Sequence, residues 1–289
     1  MAGVEGRVVV ITGAGGGLGR QHALLFAQRG AKVVVNDVGG ARDGTGTGTG
    51  TEMADAVVAE ITDAGGEAVA NYDNVATAAG GQAIVQTALD TYEQIDVVVN
   101  NAGILRDVTF HKMTDSQWHG VLQVHLYGTY FVTHAAWPHL RGQGYGRVIV
   151  TTSTTGLYGN FGQANYGAAK LAVVGLINTL ALEGRKYDIT ANAVAPVAAT
   201  RMTEDVLPEE MLATFDPAYI SPLVVHLASQ ECTATGEVVL AGGGNYARVR
   251  YVQAKGAQFD AVPTVEDIAA GWDRVMDMEG AEPGTPLSG

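Results

Sequence analysis

The sequence predicts a doubly wound α/β fold with a parallel sheet of about seven strands, and three observations predict it. Seven short runs rich in valine or isoleucine recur along residues 1–245, none with polar alternation. Runs of that kind are strands covered on both faces, as in a parallel sheet. Between them lie longer segments with apolar residues at helical spacing, and such alternation builds a layered α/β domain. A glycine-rich turn joins the first run to the first helical segment.

The runs, in order, are RVVVIT (7–12), AKVVVN (31–36), EAVANY (67–72), IDVVVN (95–100), GRVIVTT (146–152), ITANAVA (189–195) and GEVVLAG (236–242). GRQHALLFAQRG (19–30) and TEMADAVVAEITDAGG (51–66) gather apolar residues on one face and end in glycine, a helix stop signal. GGARDGTGTGTG (39–50) alternates glycine and threonine. No core element has that composition, so a long flexible loop is expected there. Residues 115–141 and 162–184 are expected to be long helices. The tail, 246–289, is expected to be a C-terminal extension packing on the 1–245 domain or on a partner subunit. Within it, residues 262–278 predict one amphipathic helix, N-capped by Thr264 with Glu266 and Asp267 in its first turn.

The chain has 289 residues, 47% of them hydrophobic, enough for a full core. No apolar stretch is expected to be long enough to span a bilayer. The N-terminal residues run into a strand pattern without signal-peptide anatomy. Cys232 is the one cysteine, so no intrachain disulfide forms and a reducing, cytoplasmic setting is expected. The seven histidines have no metal-ligand spacing, and no metal is expected. A net charge of −13 excludes a nucleic-acid partner, which needs a basic footprint, and disfavours anionic membranes.

Three constellations carry chemistry. TGAGGGLGR (12–20) places Gly13, Gly17 and Gly19 between strand and helix. Side chains there would block a tight turn or a pyrophosphate, and the helix start beyond offers amide donors. Asp37 closes the second strand. A carboxylate there can accept from adenosine ribose hydroxyls and repel a 2′-phosphate, favouring NAD over NADP; Arg20 and Arg42, nearby in sequence, weaken that preference. Finally, Tyr166 stands four residues before Lys170 on a helical segment, with Ser153 after the fifth strand. Positions i and i+4 share a helix face. Bringing a tyrosine from its usual value of about 10 to about 7 takes on the order of 4 kcal/mol, and a neighbouring ammonium is expected to supply much of it. The phenolate could then take an alcohol proton while the Ser153 hydroxyl holds the oxygen.

TG-x₃-G-x-G at 12–19, NNAG at 100–103, Ser153 and Tyr-x₃-Lys at 166–170 resemble the short-chain dehydrogenase/reductase family, a Rossmann-fold family, over roughly residues 5–245. NNAGILRD, VHLYGTYFVTHAAWPHL, GLYGNFGQANYGAAK and LEGRKYDI further resemble the (3R)-hydroxyacyl-CoA dehydrogenase units of peroxisomal multifunctional enzymes. The resemblance implies NAD-dependent oxidation of a (3R)-3-hydroxyacyl-CoA in β-oxidation. It implies Tyr166 as base, Lys170 as its activator and Ser153 as substrate anchor. Leu18, Asp37, Asn74, Val75, Asn101, Ala102, Gly103, Pro196, Val197, Ala198, Ala199 and Thr200 match cofactor-contacting positions. Where the wider family has an asparagine in the helix after NNAG, this chain has His125, which either joins the proton relay or packs. The C-terminal TPLSG is no peroxisomal address of the SKL type, so a stand-alone bacterial enzyme is expected, its hydratase on another polypeptide. The resemblance also implies a homodimer through residues 115–141 and 164–184, or a tetramer.

Residues 200–222 occupy the family's substrate-lid position, and a short helix pair is expected. Met202, Val206, Leu207, Met211 and Phe215, with Tyr158 and Phe161, are candidates for an acyl or steroid pocket. Arg106, Arg201, Arg248 and Arg250 are candidates for a CoA rim. The alternatives are a 17β-hydroxysteroid dehydrogenase acting on free steroids, a 3-oxoacyl carrier-protein reductase using NADPH, and a dinucleotide-binding sensor without catalysis.

Overall fold

The structure, a computed structural model, describes residues 3–41, 43–44, 51–198 and 215–285. The chain divides into two compact units, Met1–Arg248 and Val249–Gly289. In the first, the seven valine-rich runs become β1 (Val8–Thr12), β2 (Lys32–Asn36), β3 (Glu67–Asn71), β4 (Val97–Asn100), β5 (Gly146–Thr151), β6 (Ile189–Pro196) and β7 (Val238–Gly242). An eighth strand, β8 (Asn245–Val249), extends the sheet to the order β3-β2-β1-β4-β5-β6-β7-β8. The expectation of about seven strands misses β8 because its residues are largely exposed and carry no apolar run. β1 pairs in parallel with both β2 and β4, with Val9 opposite Val33 and Val97. Strand order therefore reverses at β1, and the crevice beyond the C-terminal ends of β1 and β4 is where such sheets bind ligands.

The helices follow the predicted rhythm: α1 (Gly17–Gln28), α2 (Thr51–Asp63), α3 (Ala78–Tyr92), α4 (Asp115–Leu122), α5 (Gly128–Gln143), α6 (Thr154–Tyr158), α7 (Ala164–Gly184) and α8 (Ser221–Ala228). On one face of the sheet Val9, Ile11, Val33, Val35, Val97 and Val99 pack with Ala23 and Phe26 of α1 and Val57 and Ile61 of α2. The long helix expected over 115–141 is not continuous α-helix. Gln123–Tyr127 forms a π-turn between α4 and α5, and its wider winding turns His125 inward, to 2% exposure. Such turns recur at functional sites.

One sequence expectation is corrected by α7. With the turn after it, Ala164–Tyr187 is long and apolar enough to cross a membrane by length and composition. In the fold it is the helix that carries Tyr166 and Lys170, and it buries Val173, Val174 and Ile177. Leu171 and Leu182, off that buried face, are exposed.

In the second unit, β9 (Val252–Gln253) pairs antiparallel with β10 (Glu282–Pro283). Residues 262–278 form two short helices, α9 (Val265–Ala270) and α10 (Trp272–Met276). Gly271 divides them, at φ −90° and ψ 0°. The predicted N-cap is present: Thr264 Oγ1 accepts from Asp267 N–H at 3.2 Å, and Asp267 accepts from Thr264 N–H at 3.0 Å.

Candidate active site

The nucleotide end is built from backbone. After β1 the chain turns through Gly13 and Gly17, at φ +64° and +51°, a region that β-carbons disfavour. A β-carbon on Gly13 would lie 2.8 Å from Ala102 Cα, and one on Gly19 would lie 2.2 Å from Gly13 O. Asn101 Nδ2 donates to Thr12 O and Gly13 O at 3.1 Å each, while Thr12 Oγ1 accepts from the Asn101 and Ala102 amides, also at 3.1 Å. NNAG is therefore a clamp on the glycine loop, and the glycines answer to that clamp as much as to a ligand. Leu18 turns towards the core. No side chain caps the start of α1 at Gly16, so its first amides remain available to an anion.

Asp37 faces this loop. Its Oδ2 accepts from Gly15 N–H at 2.9 Å and its Oδ1 from Gly39 N–H at 2.8 Å. A carboxylate has about four acceptor positions, so two remain for hydroxyl donors. Arg20 pairs with Glu60 at 2.5 Å, which directs its charge towards α2. Arg42 lies outside the described residues. Asn74 is exposed and accepts from Ala76 N–H at 2.9 Å, and Val75 is buried against Gly128. Pro196 ends β6, Val197 N–H donates to Ala241 O at 2.7 Å, and Ala198 is buried. Ala199 and Thr200 lie outside the described residues.

The second end assembles at the mouths of β4 and β5. Ser153 N-caps α6, its Oγ accepting from Thr155 N–H at 3.1 Å, and its hydroxyl is near enough to the Tyr166 phenol to favour the phenolate. Lys170 Nζ lies 5.6 Å from the centre of the Tyr166 ring and donates to Thr151 O at 2.6 Å. Thr152 Oγ1 donates to Lys170 O at 2.6 Å, and a β-carbon on Gly156 would stand 2.9 Å from Lys170 C. These contacts seat α7 against the end of β5. The His125 ring stands edge-on to Tyr166, centroids 5.2 Å apart at 88°. Its Nε2 is 2.8 Å from Ile104 O and 3.0 Å from Ile104 N. Its Nδ1 is buried with no hydrogen-bond partner among the described residues. A β-carbon on Gly103 would come within 2.4 Å of His125 Cε1, so the glycine of NNAG makes room for this imidazole.

The ionisation pattern corrects one expectation. Burial, with a smaller push from Asp107, drives Tyr166 up to about 12 against the Ser153 hydroxyl. Burial also drives Lys170 down to about 7. The predicted acidification of Tyr166 by Lys170 is therefore not what the protein's own groups produce: both sit in one dry pocket, and desolvation outweighs their attraction. Phenol with amine and phenolate with ammonium nevertheless carry the same total charge, so one internal proton shift connects them. His125 is held well below the usual histidine range by burial and then by Lys170, against its Ile104 hydrogen bond. It is neutral and wedged between loop and phenol.

Two residues of this site were assigned no role from the sequence. Asn165 is fully buried; its Nδ2 donates to Arg106 O at 3.2 Å and Gln117 O at 3.1 Å, and its Oδ1 accepts from Tyr166 N–H at 2.8 Å. Gln163 binds Asp107 through Nε2 at 2.7 Å. An amide directly beside the tyrosine, where a helix begins, was the available clue for Asn165. Among the arginines proposed for a CoA rim, Arg106 donates to Asp43 O at 2.8 Å and Ser116 O at 3.0 Å, and Arg248 pairs with Glu237. Arg250 belongs to the second unit, and Arg201 lies outside the described residues. Tyr158 and Phe161 are 69% and 88% exposed. Phe215 is partly buried beside Gly242. Met202, Val206, Leu207, Met211 and the expected helix pair of the lid lie outside the described residues.

The family model for short chain dehydrogenases matches residues 7–211. The chain belongs to the short-chain dehydrogenase family. It is 60% identical over 282 residues to a Mycobacterium tuberculosis protein named as a short-chain type dehydrogenase/reductase, covering 98% of each chain. It is 50% identical over 280 residues to mouse peroxisomal multifunctional enzyme type 2, covering 96% of this chain but 37% of the mouse protein. This chain thus spans a little over a third of that longer relative. A hydroxyacyl-CoA dehydrogenase of Mycobacterium tuberculosis is 35% identical over 294 residues, covering 93% of this chain and 90% of that one.

Proposed function

We propose that this short-chain dehydrogenase oxidises (3R)-3-hydroxyacyl-CoA thioesters, steroid side-chain esters among them, to 3-oxoacyl-CoA with NAD⁺. One observation carries the reading: a buried Tyr166 phenol close to Ser153 and one helical turn from Lys170, with a glycine loop clamped by NNAG. The likeness to multifunctional and hydroxyacyl-CoA enzymes supports the substrate class. Asp37, with two acceptor positions left, and Arg20, engaged by Glu60, support NAD over NADP.

The glycine loop, the open amides of α1 and Asp37 fit a dinucleotide, which supplies a hydride acceptor when bound. Ser153 then holds the substrate oxygen, and Tyr166, as the phenolate formed when its own proton passes to the Lys170 amine, takes the hydroxyl proton as C3 gives up its hydride. Lys170 stabilises the phenolate. His125 keeps the phenol ring and the Ile104 backbone in place. Exposed Tyr127, Tyr130, Leu171 and Leu182 on the turn before α5, on α5 itself and on α7 favour a homodimer, and we place the enzyme in the cytoplasm.

The test is a panel of (3R)- and (3S)-hydroxyacyl-CoA thioesters, a steroid ester included, offered with NAD⁺ and with NADP⁺. NADH formation from the (3R) series is expected. Turnover confined to NADP⁺, or to free hydroxysteroids, would replace this reading.

A further inference from the structure

Gln163 lies within the GLYGNFGQANYGAAK stretch without a role assigned to it from the sequence, and its side chain joins three segments of the site. It N-caps α7. Its Oε1 accepts from Thr155 Oγ1 at 2.9 Å and from Asn160 Nδ2 at 3.0 Å, and its Nε2 donates to Asp107 Oδ2 at 2.7 Å. Thr155 is the residue whose amide binds Ser153 Oγ. The Gln163 backbone carbonyl accepts from Gly167 N–H at 2.8 Å, next to Tyr166, and Val108 N–H donates to Gly162 O at 2.8 Å. One carboxamide therefore ties the loop after β4 to the first turn of α6 and the start of α7.

We propose that Gln163, latched to Asp107, is a positioning residue that sets the Ser153 hydroxyl against the Tyr166 phenol. The proposal rests on reading those two hydroxyls as the reacting pair. Only an amide satisfies all three partners, because Asp107 can only accept while Thr155 and Asn160 donate. A glutamate at 163 would face the Asp107 carboxylate as a like charge. The latch also governs charge at the phenol. Lys170 faces Tyr166 from α7, His125 from the π-turn, Ser153 from the end of β5 and Asp107 from the loop after β4. The Asp107 carboxylate opposes phenolate formation, and Gln163 holds that carboxylate in place.

The experiment compares Gln163→Glu with the double variant Gln163→Glu, Asp107→Asn, in which the introduced amide can donate to the introduced carboxylate. With a thioester the wild type oxidises, Gln163→Glu is expected to lose about tenfold to a hundredfold in kcat, with KM for NAD⁺ little changed. The double variant is expected to recover most of that loss. Wild-type kcat in Gln163→Glu, or a double variant no faster than the single, overturns the proposal. Should Gln163→Glu fail to fold, Asp107→Asn alone is expected to move the rising limb of the pH–rate profile for oxidation to lower pH, and an unmoved limb overturns it. If the wild type oxidises no thioester, the substrate reading fails by itself. The latch is then read from the ¹³C resonance of the labelled Tyr166 ring, displaced in Gln163→Glu and restored in the double variant. A resonance unmoved in Gln163→Glu overturns it.

Discussion

The two ends of the ligand crevice are built on opposite principles. At the glycine loop, the polar atoms are closed by short-range bonds: Asn101 to Thr12 and Gly13, Asp37 to Gly15 and Gly39. At the catalytic end, ionisable groups are buried and each resists its charged form. The first end is a rigid cradle whose geometry is complete in the protein alone. The second is a poised site, in which burial disfavours the charged form of a phenol, an amine and an imidazole. Binding and chemistry should therefore fail separately.

The largest separation is expected from Tyr166→Phe. It should lower turnover by about 10²–10⁴-fold while NADH binding, followed by fluorescence, stays near wild type. Loss of both together would break the comparison. Gly19→Ala should do the reverse. Its methyl group meets Gly13 O at 2.2 Å, so a stability loss of about 1–3 kcal/mol from overpacking, seen as a lowered melting temperature, and weakened NADH binding are expected. Asp37→Ala removes acceptors from two loop amides. About tenfold weaker NAD⁺ binding is expected from the lost charged hydrogen bonds, with a smaller change in kcat, and the NAD⁺/NADP⁺ preference should narrow. His125→Ala is expected to slow turnover severalfold and leave cofactor binding intact; unchanged turnover would make the imidazole a packing group only.

A further effect is on pH-dependent stability. Lys170 titrates near about 7 in the folded chain against 10.5 ordinarily. Between those values the unfolded chain binds the additional proton, so this group makes stability rise with pH across that window. Thermal melts from pH 7 to 10 should show that rise, and Lys170→Met should flatten it. In the same range oxidation should quicken with pH, because Tyr166 is pushed up to about 12 and must lose its proton to act as base.

How much was legible in the sequence follows the same division. The strands of the parallel ladder announced themselves as short apolar runs, most of them valine-rich, whereas β8, exposed at the edge, did not. The break at Gly271 was a glycine in an otherwise helical pattern, and the pattern concealed it. Asp107 and Gln163 stand 56 residues apart, and nothing in local periodicity couples such positions.

The sequence by itself determined the parallel sheet, the glycine loop at its switch point and the presence of Ser153, Tyr166 and Lys170, because these depend on periodicity, on the missing β-carbon and on i,i+4 spacing. Only the tertiary structure decided that NNAG clamps that loop, that the π-turn aims His125 at the phenol, and that Tyr166 keeps its proton while Lys170 gives way. Those outcomes depend on desolvation and on contacts between distant segments, and both exist only once the chain has closed around them.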